Sequence, residues 1–167
     1  VAGGWVLDSD IHNNLAGYWV NWWYGSGGGL FESTATSSRV TANRTSLGGG
    51  ADRSVLDDCM LTGNVARIGG GAYRSVLGRC TVTRNGASES GPTLTGPEGQ
   101  GGGLAECRAW DSEIADNGAA VEGGGCYVSD LSNCMVRANR ASGHLGSGGG
   151  AVGGTLVACL VMSNFAQ

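Results

Sequence analysis

Three groups of side chains in this sequence have types that do chemistry. Tyr18, Trp19, Trp22, Trp23 and Tyr24 crowd into one short stretch, and indole faces presented on a loop by a rigid scaffold stack well on sugar rings. The same rings can instead form a lid that folds over apolar surface. Six cysteines form the second group: Cys59, Cys80, Cys107, Cys126, Cys134 and Cys159. With no Cys-x-x-Cys and only His12 and His144 as imidazoles, they do not outline a zinc site, and no metal or other cofactor is expected. Asp57, Asp58, Arg79 and Asp111 are the third. Phosphate cradling by the Gly triplets is not expected, since no Gly-Lys-Ser/Thr follows any of them.

What positions these residues is a repeat. A Gly triplet ends at Gly29, Gly50, Gly71, Gly103, Gly125 and Gly150, and an Asn follows fourteen positions after each: Asn43, Asn64, Asn85, Asn117, Asn139 and Asn164. The opening segment Val1 to Asn14 matches Ala151 to Asn164, so a seventh coil starts within a turn. Successive Asn residues are separated by 29, 21, 21, 32, 22 and 25 positions. The basal coil is therefore 21 or 22 residues, and insertions fall at 15–26 and 86–100. Fixed periods of this size imply stacked units rather than a conventional core.

Counting from the third Gly as zero, position six holds Val6, Ala35, Leu56, Leu77, Ala109, Leu131 and Leu156, and position eleven holds Ile11, Val40, Leu61, Val82, Ile114, Val136 and Val161. Position nine is a Cys/Ser column: Ser9, Ser38, Cys59, Cys80, Ser112, Cys134 and Cys159. Alternation with period two puts these residues on one face of short strands. The pattern predicts an all-β fold: a right-handed parallel β-helix (solenoid) of about seven coils with three short strands each, in one domain over residues 1–167 that forms a piece of a longer stack. The Asn column from Asn14 to Asn164 is expected to hydrogen-bond from coil to coil. The cysteines are expected to be buried free thiols, because parallel side chains one coil apart hold their Cβ atoms wider than a relaxed disulfide prefers. Asp58, Arg79 and Asp111 share position eight on consecutive coils, an alternating-charge ladder open to cross-strand pairing.

The Gly-Gly-Gly-Ala-Tyr, Ser-x-Leu-x-x-Cys-x-Val and Asn-x-Ala elements resemble those of right-handed parallel β-helix repeat proteins of the pectate-lyase-like superfamily. Within that group the likeness is to secreted bacterial surface proteins, such as autotransporter passengers and polymorphic outer-membrane proteins. It implies an extracellular or cell-surface setting and a structural or adhesive segment without catalysis, partnered by itself, head to tail in a fibre, or by surface glycans. The alternative it carries is a polysaccharide-active lyase or hydrolase, or a carbohydrate-binding module. Lyases of the superfamily hold calcium with aspartates on one outer face and use a nearby Arg or Lys as base. Here Arg79 between Asp58 and Asp111 neutralises such a site more than it builds one, so no catalytic residue is assigned.

Composition agrees with this setting. Ten Arg and no Lys against fourteen acidic residues give a net charge of −4. The Arg residues are scattered over several columns, which disfavours nucleic acid as a partner. No apolar run is long enough for a membrane span, and no signal peptide opens the chain, which is expected to be a mature or excised segment.

Overall fold

A computed structural model of the chain describes residues 1–17, 25–88, 99–143 and 146–167. Among these residues there is no helix, and the strands assemble into four sheets in which every pairing is parallel and joins equivalent positions of successive coils. Sheet I is built from pairs such as Ala51–Asp52, Ala72–Tyr73 and Leu104–Ala105 at positions one and two. Sheet II stacks positions five to seven, from Trp5–Leu7 through Val76–Gly78 and Arg108–Trp110 to Leu156–Val157. Sheet III stacks positions ten to twelve, Thr81–Thr83 lying between Met60–Thr62 and Glu113–Ala115. Sheet IV is a ladder absent from the sequence reading: Val65–Ala66, Gly86–Ala87, Gly118–Ala119, Arg140–Ala141 and Phe165–Ala166, just after the Asn. Each coil thus has four sides, where three strands were expected.

The four sides follow from a turn every five residues. Positions three, eight and thirteen carry left-handed backbone, as at Arg53 (φ 49°), Asp58 (φ 52°) and Ala42 (φ 53°). Such a conformation costs a non-glycine residue roughly 1–2 kcal/mol, and Val128 (φ 46°), being β-branched, is the most strained of the set. Stacking offsets the strain, because the amide of each turn residue donates to the next coil, as Asp58 N does to Gly78 O (3.0 Å) and Ala42 N to Thr62 O (3.0 Å).

The residue after each turn points a small polar group inward and serves the coil before it. Asn43 donates from both its backbone N and its Nδ2 to Asn64 Oδ1 (3.0 and 3.1 Å), Asn64 does the same to Asn85 (2.9 and 3.0 Å), and Asn85 to Asn117 (2.9 and 3.1 Å). Serines at positions four and nine do the same work with one oxygen: Ser54 N donates to Ser75 Oγ (3.1 Å) and Cys80 N to Ser112 Oγ (3.0 Å). The two Ser/Cys columns are therefore hydrogen-bond ladders in their own right. Polar groups buried at a corner are costly unless paired, so this pairing is what lets the chain bend at all.

Between the corners the core is a set of aliphatic columns. Leu56, Leu61, Leu77, Val82, Ile114 and Val136 are wholly or almost wholly buried, each stabilising by roughly 1.5–3 kcal/mol relative to exposure. The alanines of position sixteen (Ala66, Ala87, Ala119, Ala141) close the fourth side. All six cysteines are free thiols; Cys59, Cys80, Cys107, Cys126 and Cys134 are buried and Cys159 is partly exposed. Donation of its S–H to Cys59, together with burial, keeps Cys80 a thiol, and burial pushes Cys107 and Cys126 up to about 12. The same hydrogen bond lowers Cys59 to about 7, leaving burial as its protection; titration with a thiol-specific chromogenic reagent should therefore modify Cys159 first in the native protein and Cys80, Cys107, Cys126 and Cys134 only in denaturant. Rapid native modification of Cys107 or Cys126 would contradict this packing.

Candidate functional site

The outward side chains of sheet II and of the turn that follows it carry both charge pairs and an aromatic groove. Asp57 at position seven forms an ion pair with Arg79 of the following coil. Arg79 thus pairs with a strand residue rather than with its position-eight neighbours. Asp58 instead accepts a hydrogen bond from Ser37 Oγ (3.3 Å), and Asp111 accepts one from Asn133 Nδ2 (2.5 Å). The expected ladder of alternating charge is broken at Arg79, which turns to the strand residue Asp57, while Asp58 and Asp111 bond their other position-eight neighbours, Ser37 and Asn133. Other exposed pairs, Arg39–Asp10, Arg53–Glu32, Arg74–Glu106 and Arg137–Glu113, likewise join adjacent coils. Pairs of this kind contribute well under about 1 kcal/mol each, and their effect is to favour one coil register.

Further along the same face lies a shallow groove of about 540 Å³. Position five supplies one wall (Val76, Arg108, Asp130, Thr155) and position seven the other (Trp110, Ser132, Val157), with Ala109 and Leu131 as the floor. Trp110 is held by its neighbour. A Cβ added to Gly78 would meet Trp110 Cζ2 at 2.5 Å and Cε2 at 2.7 Å, so the indole lies over the bare glycine backbone of the preceding coil and stays 37% exposed. Asp130 is fixed by accepting from Thr155 N (3.1 Å) and stands opposite Arg108 in strand register.

A second cluster sits on sheet I. Asp52 is 1% exposed, lies between Phe31 and Tyr73 in register, and has an Oδ1 with no hydrogen-bond partner. Desolvation raises its pKa above the ordinary carboxylate value, opposed by a hydrogen bond from Ser26 and by Arg53 and Arg74. An acid whose pKa is raised by folding binds more protons folded than unfolded, so stability falls as pH rises through the window above the unfolded value of 3.8. Asp52→Asn should accordingly raise the melting temperature at pH 7, with the gain vanishing below about pH 4. A gain that is the same at both pH values would show that the charge is not the cause.

The remaining sequence candidates fall as follows. Tyr18, Trp19, Trp22, Trp23, Tyr24 and His144 lie outside the described residues. In the Asn column Asn43, Asn64, Asn85, Asn117 and Asn139 are buried, Asn164 is half-buried and Asn14 exposed; in the Cys/Ser column Ser38 and Ser112 are buried and Ser9 is exposed. His12 is exposed, its Nδ1 2.9 Å from Asn13 Nδ2. Among the described residues no three His, Cys, Asp or Glu side chains converge as a metal site would require, and no helix is long and apolar enough to cross a membrane. The sequence reading missed the Trp110 groove and Asp52; the signal for the first was a lone Trp one coil after a lone Gly in the same column. No protein-family model matches the chain, and no curated protein matches it.

Proposed function

We propose that this chain is a structural or adhesive β-solenoid segment, secreted or displayed at a cell surface, that acts without catalysis. The observation that carries the reading is how the polar residues are spent. Inside, the Asn and Ser columns are used in coil-to-coil hydrogen bonds; outside, the charges around Arg79 are used in pairs. A lyase or hydrolase needs titratable groups converging on one point. The likeness of the repeat to surface-displayed β-helix proteins supports the setting. Incubation with anionic glycans and calcium should give no unsaturated products and no new reducing ends; accumulation of either would replace this reading with the enzymatic one.

Head-to-tail stacking is a second element of the proposal. Leu156 and Val161 in the coil Ala151–Gln167 are 36% and 49% exposed, whereas their equivalents Leu131 and Val136 are 2% and 0%. A further coil or a second copy would cover them. The Asn ladder has one polarity throughout, each Asn donating toward the following coil from Asn14 to Asn164, so a copy stacked coil on coil would continue it in the same sense. Sedimentation velocity should show growth with concentration; monomer at every concentration would overturn the fibre.

A further inference from the structure

We infer that the groove on sheet II is a saccharide-binding subsite, taking a neutral pyranose chain that lies along the solenoid axis with one ring stacked on Trp110. Three observations lead there. The groove crosses from the coil of Val76 to that of Thr155, three coil rises or about 14 Å, so a linear ligand would run across the strands and not beside them. Its floor is the middle of a parallel sheet: the backbone around Ala109 and Leu131 is already paired with coils on both sides. The one open edge, at Leu156–Val157, runs across the groove and not along it, so an extended peptide filling the groove could not pair with it, and a ligand along the axis must bring hydroxyls to side chains instead.

The walls match such a ligand. Trp110 offers an exposed apolar surface on a side chain already immobilised over Gly78, so little conformational entropy is lost on stacking. Facing it are the Arg108 donors, the Asp130 carboxylate and the Thr155 hydroxyl, with the Ser132 hydroxyl beside it on its own wall, the mixed polar set that a sugar's ring of hydroxyls requires. Asp130 stands across from Arg108 in register, so the groove carries one charge of each sign and selects a neutral chain over an anionic one.

This inference gives the adhesive reading a ligand and rests on it only in expecting binding without turnover. The test is titration calorimetry of the whole chain with cellotetraose, chitotetraose and tetragalacturonate, with product analysis of each mixture. At least one neutral tetramer should bind saturably at millimolar concentration. Trp110→Ala should weaken it by about tenfold or more, the scale expected when a stacked aromatic is lost. Gly78→Ala, which drives a methyl into the indole, should do the same with an unchanged circular-dichroism spectrum, while Trp5→Ala, on the same sheet but outside the groove, should leave binding intact. No saturable binding by either neutral tetramer, binding indifferent to both groove variants, or binding confined to tetragalacturonate and abolished by salt would each overturn the inference. Trp110-dependent binding followed by chain cleavage would uphold the groove and overturn the non-catalytic reading.

Discussion

Asn64→Ala should destabilise the protein by on the order of 4–6 kcal/mol, enough to unfold a domain of ordinary stability. Asn64 is fully buried. Its Oδ1 accepts two hydrogen bonds from Asn43, and its Nδ2 donates to Val40 O (2.8 Å) and Asn85 Oδ1 (3.0 Å). Truncation leaves two buried donors of Asn43 and the Val40 carbonyl short of a partner, each costing about 1–3 kcal/mol. Asn14→Ala removes a single side-chain bond, to Asn43 Oδ1 (2.8 Å), at an exposed site and should cost within about 1 kcal/mol. Denaturant midpoints of the two variants check the contrast; comparable losses would mean that the ladder is not a buried network.

Gly70→Ala should be nearly as damaging, for a steric reason. A Cβ at Gly70 would sit 2.4 Å from both Gly102 O and Gly86 O, backbone atoms that cannot move without spreading the coils. A cost of about 3 kcal/mol or more is expected from overpacking of this kind, or a fall in melting temperature approaching 10 °C at roughly 2–4 °C per kcal/mol. Gly86→Ala is the internal control. Nothing lies within 4 Å of its added Cβ, and neither glycine has left-handed backbone, so that substitution should be neutral or stabilising by about 0.4–1 kcal/mol through the unfolded chain. Equal effects would show that the triplets are needed for flexibility and not for close approach.

These two contrasts also separate what could be read in the sequence from what could not. The Asn and Gly spacing fixed the register because a residue repeated at one interval must meet its copy in the adjacent coil. Sheet IV escaped notice because position fifteen holds Leu15, Arg44, Val65, Gly86, Gly118, Arg140 and Phe165, which show no alternation; only the alanines behind them mark an inward column. Position eight was legible as a column but not as a turn, nor could spacing alone show that Arg79 reaches the strand residue Asp57 while Asp58 and Asp111 bond Ser37 and Asn133. The groove was hidden for a different reason. Aromatic density drew attention to residues 18–24, whereas Trp110 becomes a platform only because Gly78, 32 residues earlier, lies beneath it.

The claim beneath all of this is that side chains 21 to 32 residues apart in sequence touch as coil neighbours. Nuclear Overhauser spectroscopy on uniformly labelled protein tests it without any substitution. The side-chain amide protons of Asn43, Asn64, Asn85, Asn117 and Asn139 should form an unbroken chain of cross-peaks, each to the next. Amide resonances of Asn64 that connect only to sequence neighbours, with none to Asn43 or Asn85, would contradict the stacked solenoid outright.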